Sequence, residues 1–166
     1  YNMLKVNKTD LVFINKLDLT IKMTAKPGII NGRKYWTLNI ETNNNGIIEN
    51  YQDLKSLLAS KGIESVSQTD TEIVANLLAY YYDENENVEM SLKKLTEQLK
   101  GTWGLAILCI YEPNKIYCTR HGSPLLVGIE NNMVMITSEQ SGFCNLFNKY
   151  IVLNNQDICI LEYNEN

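Results

Sequence analysis

The chain has 166 residues, 45% hydrophobic and 20% charged, a composition that supports one compact domain with a sizeable core. A net charge of −4, with no basic block, argues against nucleic acid or an anionic membrane as partner. The longest apolar runs, such as LAILCIY, are too short to span a bilayer, and Lys5 and Asp10 interrupt the early apolar residues where a signal peptide would lie, so a cytoplasmic protein is expected.

The first 43 residues read as strand-rich: DLVFIN, LDLTIKM and, after a Lys-Pro-Gly break, the alternating KYWTLNIET. Asn50 is placed to cap a helix through Leu54, Leu57 and Leu58 that stops at Gly62. Asp70 is placed to cap a second, whose stripe is Ile73, Val74, Leu77, Leu78 and Tyr81. The acidic run DENEN is a solvated tip. A third helix aligns Val88, Leu92, Leu95 and Leu99 and ends before Gly101. Short apolar runs then follow in quick order: TWGLAILCIY, KIYCT, PLLVGIE, MVMIT, YIVL and DICILEY. Turn residues separate them, and a short irregular or helical piece lies at SEQSGFCNLF, which together predict an antiparallel meander. Strands, three helices and strands again give an α+β class with helices packed on antiparallel sheets.

Chemistry-bearing residues are few. Cys109, Cys118, Cys144 and Cys159 have no CxxC spacing, so zinc is not expected, and Cys109 and Cys159 fit buried, reduced thiols. Any Ser-His or Cys-His pair must use the single histidine, His121, which reads as a loop residue before a Gly-Ser-Pro turn. No phosphate-binding glycine loop occurs. Two stretches remain, NNNG at 43–46 and QTDTE at 68–72. An asparagine amide and a glycine N–H converging on one point can stabilise an oxyanion, and Asp70 can accept from a ligand ammonium. From residue types alone, a plain Asn-Gly turn and a simple N-cap at Asp70 are the favoured readings.

The linear order of NGIIENYQDLKSLLASKG, SQTDTEIVANLL, LKGTWGLAIL, TRHGSPLLVGI and ITSEQ resembles the glutaminase domain of glutamine–fructose-6-phosphate amidotransferase (glucosamine-6-phosphate synthase). The likeness runs from residue 45 to about 162, with 25 residues from Asn45 to Asp70, and leaves 1–44 as a divergent strand-rich segment of one glutaminase-like domain. It implies a four-layer αββα sandwich of the N-terminal-nucleophile hydrolase type, its first part incomplete or divergent. It implies hydrolysis of glutamine through a glutamyl thioester, with ammonia passed to a sugar-phosphate isomerase domain absent from this chain. By the same resemblance Asn45 and Gly46 form the oxyanion hole, Asp70 binds the α-amino group of glutamine, no metal or organic cofactor is needed, and homo-oligomers are the family's usual state.

The departures are specific. The family's nucleophile is an N-terminal cysteine, whereas this sequence starts at Tyr1 and has no cysteine before Cys109. The family's Arg-Trp-Ala-Thr-His-Gly loop, which grips the glutamine carboxylate, is missing; Arg33 and Trp36 are the only nearby candidates, at the wrong spacing. Three explanations follow: pieces of a longer chain lie outside this sequence, the domain is a catalytically inactive binding or regulatory module, or another thiol acts with His121 as its base.

Overall fold

The computed structural model describes residues 3–7, 10–11, 28–30, 33–39, 46–66, 68–109, 111–130 and 133–162, those before 46 and Pro113 by backbone alone. Four short strands come first: β1 (Met3–Asn7), β2 (Asp10–Leu11), β3 (Gly28–Ile30) and β4 (Arg33–Asn39). Three helices follow, α1 (Tyr51–Ser60), α2 (Asp70–Asn85) and α3 (Val88–Gln98). Six strands complete the order: β5 (Trp103–Cys109), β6 (Glu112–His121), β7 (Leu126–Glu130), β8 (Met133–Thr137), β9 (Tyr150–Val152) and β10 (Ile158–Glu162), with a 3-10 turn at Gln140–Phe143. This is the expected α+β class. Most of the DLVFIN and LDLTIKM runs lies outside the described residues.

The strands form a six-stranded sheet, β1-β10-β6-β5-β4-β3, and a four-stranded sheet, β2-β8-β7-β9. The meander is antiparallel as expected, but β1 joins β10 and β2 joins β8 in parallel. No hairpin ties those early strands to their neighbours, so nothing local imposes the antiparallel direction.

Period-two alternation explains the layers. Trp103, Leu105, Ile107 and Cys109 of β5, Tyr117 of β6, and Ile158 and Ile160 of β10 share one cluster with Leu58, Ile73, Leu77, Leu92 and Leu95 of the helices. The alternate residues Ala106, Ile116, Cys118, Cys159 and Leu161 pack instead against Leu125, Val127 and Val134 of the second sheet. The order is therefore helices, sheet, sheet. Among the described residues, the outer face of the second sheet is covered by Phe143 and Phe147 over Leu126 and Met135.

The helix ends refine the sequence reading. Gly62, at φ 78°, follows α1; its N–H donates to the Ala59 carbonyl and that of Ile63 to the Leu58 carbonyl, the Schellman pattern. Leu57 is on the solvent side, because only Leu54 and Leu58 of α1 reach the core. Thr69, not Asp70, caps α2: its hydroxyl accepts from Glu72 N–H. The acidic tip begins later than expected, since α2 runs through Asp83 and Glu84 before Glu86 turns left-handed at φ 50°.

Leu77 is fully enclosed where α2 meets its neighbours. Leu77→Ala should cost about 2–5 kcal/mol in chemical denaturation, whereas Leu57→Ala should stay within about 0.5 kcal/mol.

Candidate active site

The site is built where two chain segments meet. Residues 46–49 run antiparallel to 100–102, with Ile48 bridged to Gly101. Thr102 N–H donates to the Ile47 carbonyl (3.0 Å) and Glu49 N–H to the Lys100 carbonyl (2.9 Å). Ile47 N–H donates to Thr102 Oγ1 (3.2 Å). The approach is close enough to require two glycines. A methyl at Gly46 would lie 2.7 Å from Trp103 Cα and would strike the Thr102 carbonyl oxygen. Gly101 has φ +107°, and a methyl there would strike the Ile47 carbonyl oxygen.

Asn39 stands opposite Leu105 and Ile48 opposite Gly101, so nine steps on one chain match four on the other. Asn45 itself lies outside the described residues. Gly46 begins the pinned segment, and its N–H takes no hydrogen-bond partner among the described residues.

Asp70 is the first residue of α2, half-buried, and released from capping by Thr69. Its Oδ2 accepts a long hydrogen bond from Ile48 N–H (3.4 Å), and its Oδ1 one from the Thr71 hydroxyl (3.5 Å). Gly46 and Asp70, far apart in sequence, are thus brought to one place, with an acidic side chain at a helix N-terminus where the helix dipole favours it.

His121 is the last residue of β6 rather than a loop residue. It stands opposite Trp103, and the rings stack at 4.9 Å between centroids. His121 Nδ1 and Trp103 Nε1 are buried without a partner among the described residues.

The thiols are elsewhere. Cys118 and Cys159 face one another across β6 and β10, between the two sheets. Burial pushes the Cys159 thiol up to about 12, helped by Asp157. Burial also drives Cys118 well above the ordinary thiol range, with Cys159 adding to it. Cys109 is raised by burial too, and it ends β5 about 20 Å along the strand from Trp103. Cys144, half-buried after the 3-10 turn, lies over the second sheet's side of the molecule. A nucleophilic thiol needs an electropositive surrounding that lowers its pKa, which the three buried ones lack.

The arginines do not converge on the site either. The Arg120 guanidinium donates to the carbonyls of Leu153 (3.0 Å) and Gly122 (2.9 Å), a structural role. Arg33 lies at the end of β4 away from Asn39, about 20 Å along the strand. Among the described residues no group of three His, Cys, Asp or Glu could hold a metal ion, and no helix is long and apolar enough to cross a membrane. Sequence reading did not single out Thr102; a threonine after Lys-Gly gives no local sign of the backbone it will meet.

Residues 34–145 match the family model of the glutamine amidotransferase domain. This chain belongs to that family. The domain is 38% identical over 118 residues to the glutamine–fructose-6-phosphate aminotransferase (isomerizing) of Caldanaerobacter subterraneus, an alignment covering 71% of this chain and 19% of the relative. It is 36% identical over 148 residues to the Buchnera aphidicola protein of the same name, covering 87% and 23%. The chain thus spans about a fifth of the length of these relatives. Its fold is similar to that of glutamine phosphoribosylpyrophosphate amidotransferase from B. subtilis, with a TM-score of 0.60 at 17% identity, over 83% of this chain and 31% of that one. The resemblance read from NGIIEN and TDTE is therefore confirmed at the level of the family.

In the amidotransferase domain at pH 8, a thiol reagent should modify Cys144 first and reach Cys109, Cys118 and Cys159 only on unfolding, as followed by labelling mass. Because folding raises Cys159 above the ordinary thiol value of about 8.5, its contribution to stability is full below that pH. It is lost as pH climbs toward about 12. Cys159→Ala should flatten the fall in denaturation midpoint across that window; an unchanged slope would assign the fall to other groups.

Proposed function

We propose that this domain hydrolyses glutamine to glutamate and ammonia, and that the ammonia serves glucosamine 6-phosphate synthesis from fructose 6-phosphate in a synthase part outside this chain. One observation carries the reading. The NGII backbone and the Asp70 carboxylate, from separate motifs, meet through Ile48 N–H. The α-amine and the side-chain amide carbon of an extended glutamine are separated by four bonds, about 5 Å. Two residues of extended chain, from Gly46 N to Ile48 N, span at most about 7 Å. A glutamine whose ammonium sits on Asp70 therefore has its amide within reach of Gly46.

In this reading Asp70 accepts the ammonium. The Asn45 side-chain amide and the Gly46 N–H receive the amide oxygen as it becomes an oxyanion. Attack by the nucleophile forms a tetrahedral centre, the amide nitrogen takes up the proton the nucleophile gives up, the C–N bond breaks to release ammonia, and water then frees glutamate from the acyl intermediate and restores the nucleophile. Oxyanion donors stabilise charge that exists fully only in the transition state, so their loss is felt chiefly in kcat. The thiol that attacks is not one of Cys109, Cys118 or Cys159, whose burial favours the neutral form. The family's N-terminal cysteine is the group the reaction calls for. We place the protein in the cytoplasm, where reducing conditions keep four free thiols intact.

Ammonia and glutamate release from glutamine should be measured on the full gene product. Asn45→Ala should lower kcat by about 10²–10³ with little change in melting temperature. Asp70→Asn should raise KM for glutamine while leaving α2 capped by Thr69. Turnover that survives Asn45→Ala would return NNNG to the status of a turn, and unchanged KM in Asp70→Asn would leave that carboxylate a structural role only.

A further inference from the structure

Asn50 precedes α1 and has the residue type of an N-cap. Its side chain makes no capping bond. Nδ2 donates to the Gln98 carbonyl (2.9 Å), and Oδ1 accepts from Lys100 N–H (2.9 Å). A carbonyl on one side and an N–H on the other admit only this orientation of the amide. The side chain therefore imitates a peptide unit and extends the ladder by one rung. Together with the Glu49 to Lys100, Thr102 to Ile47 and Ile47 to Thr102 bonds, five hydrogen bonds join 47–50 to 98–102.

We propose that Asn50 is a positioning residue for the amidotransferase reaction: its amide fixes the register and twist of residues 46–49 and so sets where the Gly46 nitrogen stands. This inference rests on the glutaminase reading given above. Three observations lead to it. The asparagine at this place forgoes the side-chain cap that its residue type favours. The Gly46 N–H has no partner of its own among the described residues, so no hydrogen bond of its own holds the Gly46 nitrogen, and its position follows the pinned residues after it. Those residues are held on one side by the close contact of Gly46 with Thr102 and Trp103, and on the other by Asn50. A donor displaced by a fraction of an ångström still binds substrate but meets the oxyanion poorly, so the loss belongs to kcat.

The variants Asn50→Asp and Asn50→Ser separate a clamp from a cap, because aspartate and serine cap helices as well as asparagine does. Aspartate sets a carboxylate oxygen against the Gln98 carbonyl, and serine is too short to reach both partners. On the full gene product, both variants should lower kcat for glutamine hydrolysis by about 10²-fold, with KM for glutamine little changed. Hydrogen–deuterium exchange read by mass spectrometry should quicken in peptides covering 46–50 and 99–102, while the body of α1 keeps its parental rate. Melting temperature reports that each variant is folded, and the uncharged serine variant decides the matter where the aspartate variant does not fold. Parental kcat in either folded variant overturns the proposal. So does a loss of kcat without faster exchange at 46–50, because the effect would then not pass through the clamp. A parent protein that releases no ammonia overturns the glutaminase reading and this proposal with it, whereas an active parent with indifferent variants overturns only the proposal.

Discussion

Two backbones can approach as closely as residues 46–49 and 100–102 do only where no Cβ stands between them. Gly46 and Gly101 remove the two methyl groups that would strike the opposite chain. The close approach lets Thr102 use both its N–H and its hydroxyl on Ile47, and it brings the start of β5 against the residues that follow NNNG. The start of α2 is drawn to the same place, since the Ile48 N–H that faces away from the ladder is the one Asp70 accepts. A glycine-permitted contact thus assembles the site before any side chain acts in it.

The scaffold that holds this contact is a sheet buried on both faces. β5, β6 and β10 send alternate residues to the helices and to the second sheet, so their sequences read as nearly continuous apolar runs. A one-residue slip in β5 would exchange Trp103, Leu105 and Ile107 with residues sized for the other layer. That register lock fixes Gly101 and Thr102, which lead into β5, relative to the whole core. The same burial has a chemical consequence. Thiols that fall on these strands are held protonated, which suits them to packing and not to attack on an amide.

The site's polar atoms are divided by task. Thr69 caps α2, which leaves the Asp70 carboxylate available to a cationic group. Asn50 gives its amide to the ladder, and Arg120 gives its guanidinium to two carbonyls that fasten the turn after β6. Both arginines are thus engaged or distant: Arg120 is tied to backbone carbonyls, and Arg33 stands about 20 Å along β4 from Asn39. The carboxylate grip belongs to the part of the family pattern that this sequence does not carry, and so does the nucleophile.

The sequence by itself determined the α+β order, the three helices, most strand positions after residue 100, and the family, because periodicity and the NGIIEN and TDTE wording are local properties of the chain. It also marked Gly46 and Asp70. It left Asp70 ambiguous between cap and ligand, since adjacent Thr69 and Asp70 both suit an N-cap and only the folded helix start shows which residue took it. It placed Asn50 at the start of α1, where it stands, but gave its side chain a capping bond it does not make, and it misread His121 as a loop residue, because their partners, Gln98, Lys100 and Trp103, lie far away along the chain. Strand direction at β1 and β2 and the meeting of residues 46–48 with Asp70 were decided by tertiary structure alone. Each depends on which distant backbone arrives alongside, and a long-range hydrogen bond has no signature in the residues on either side of it.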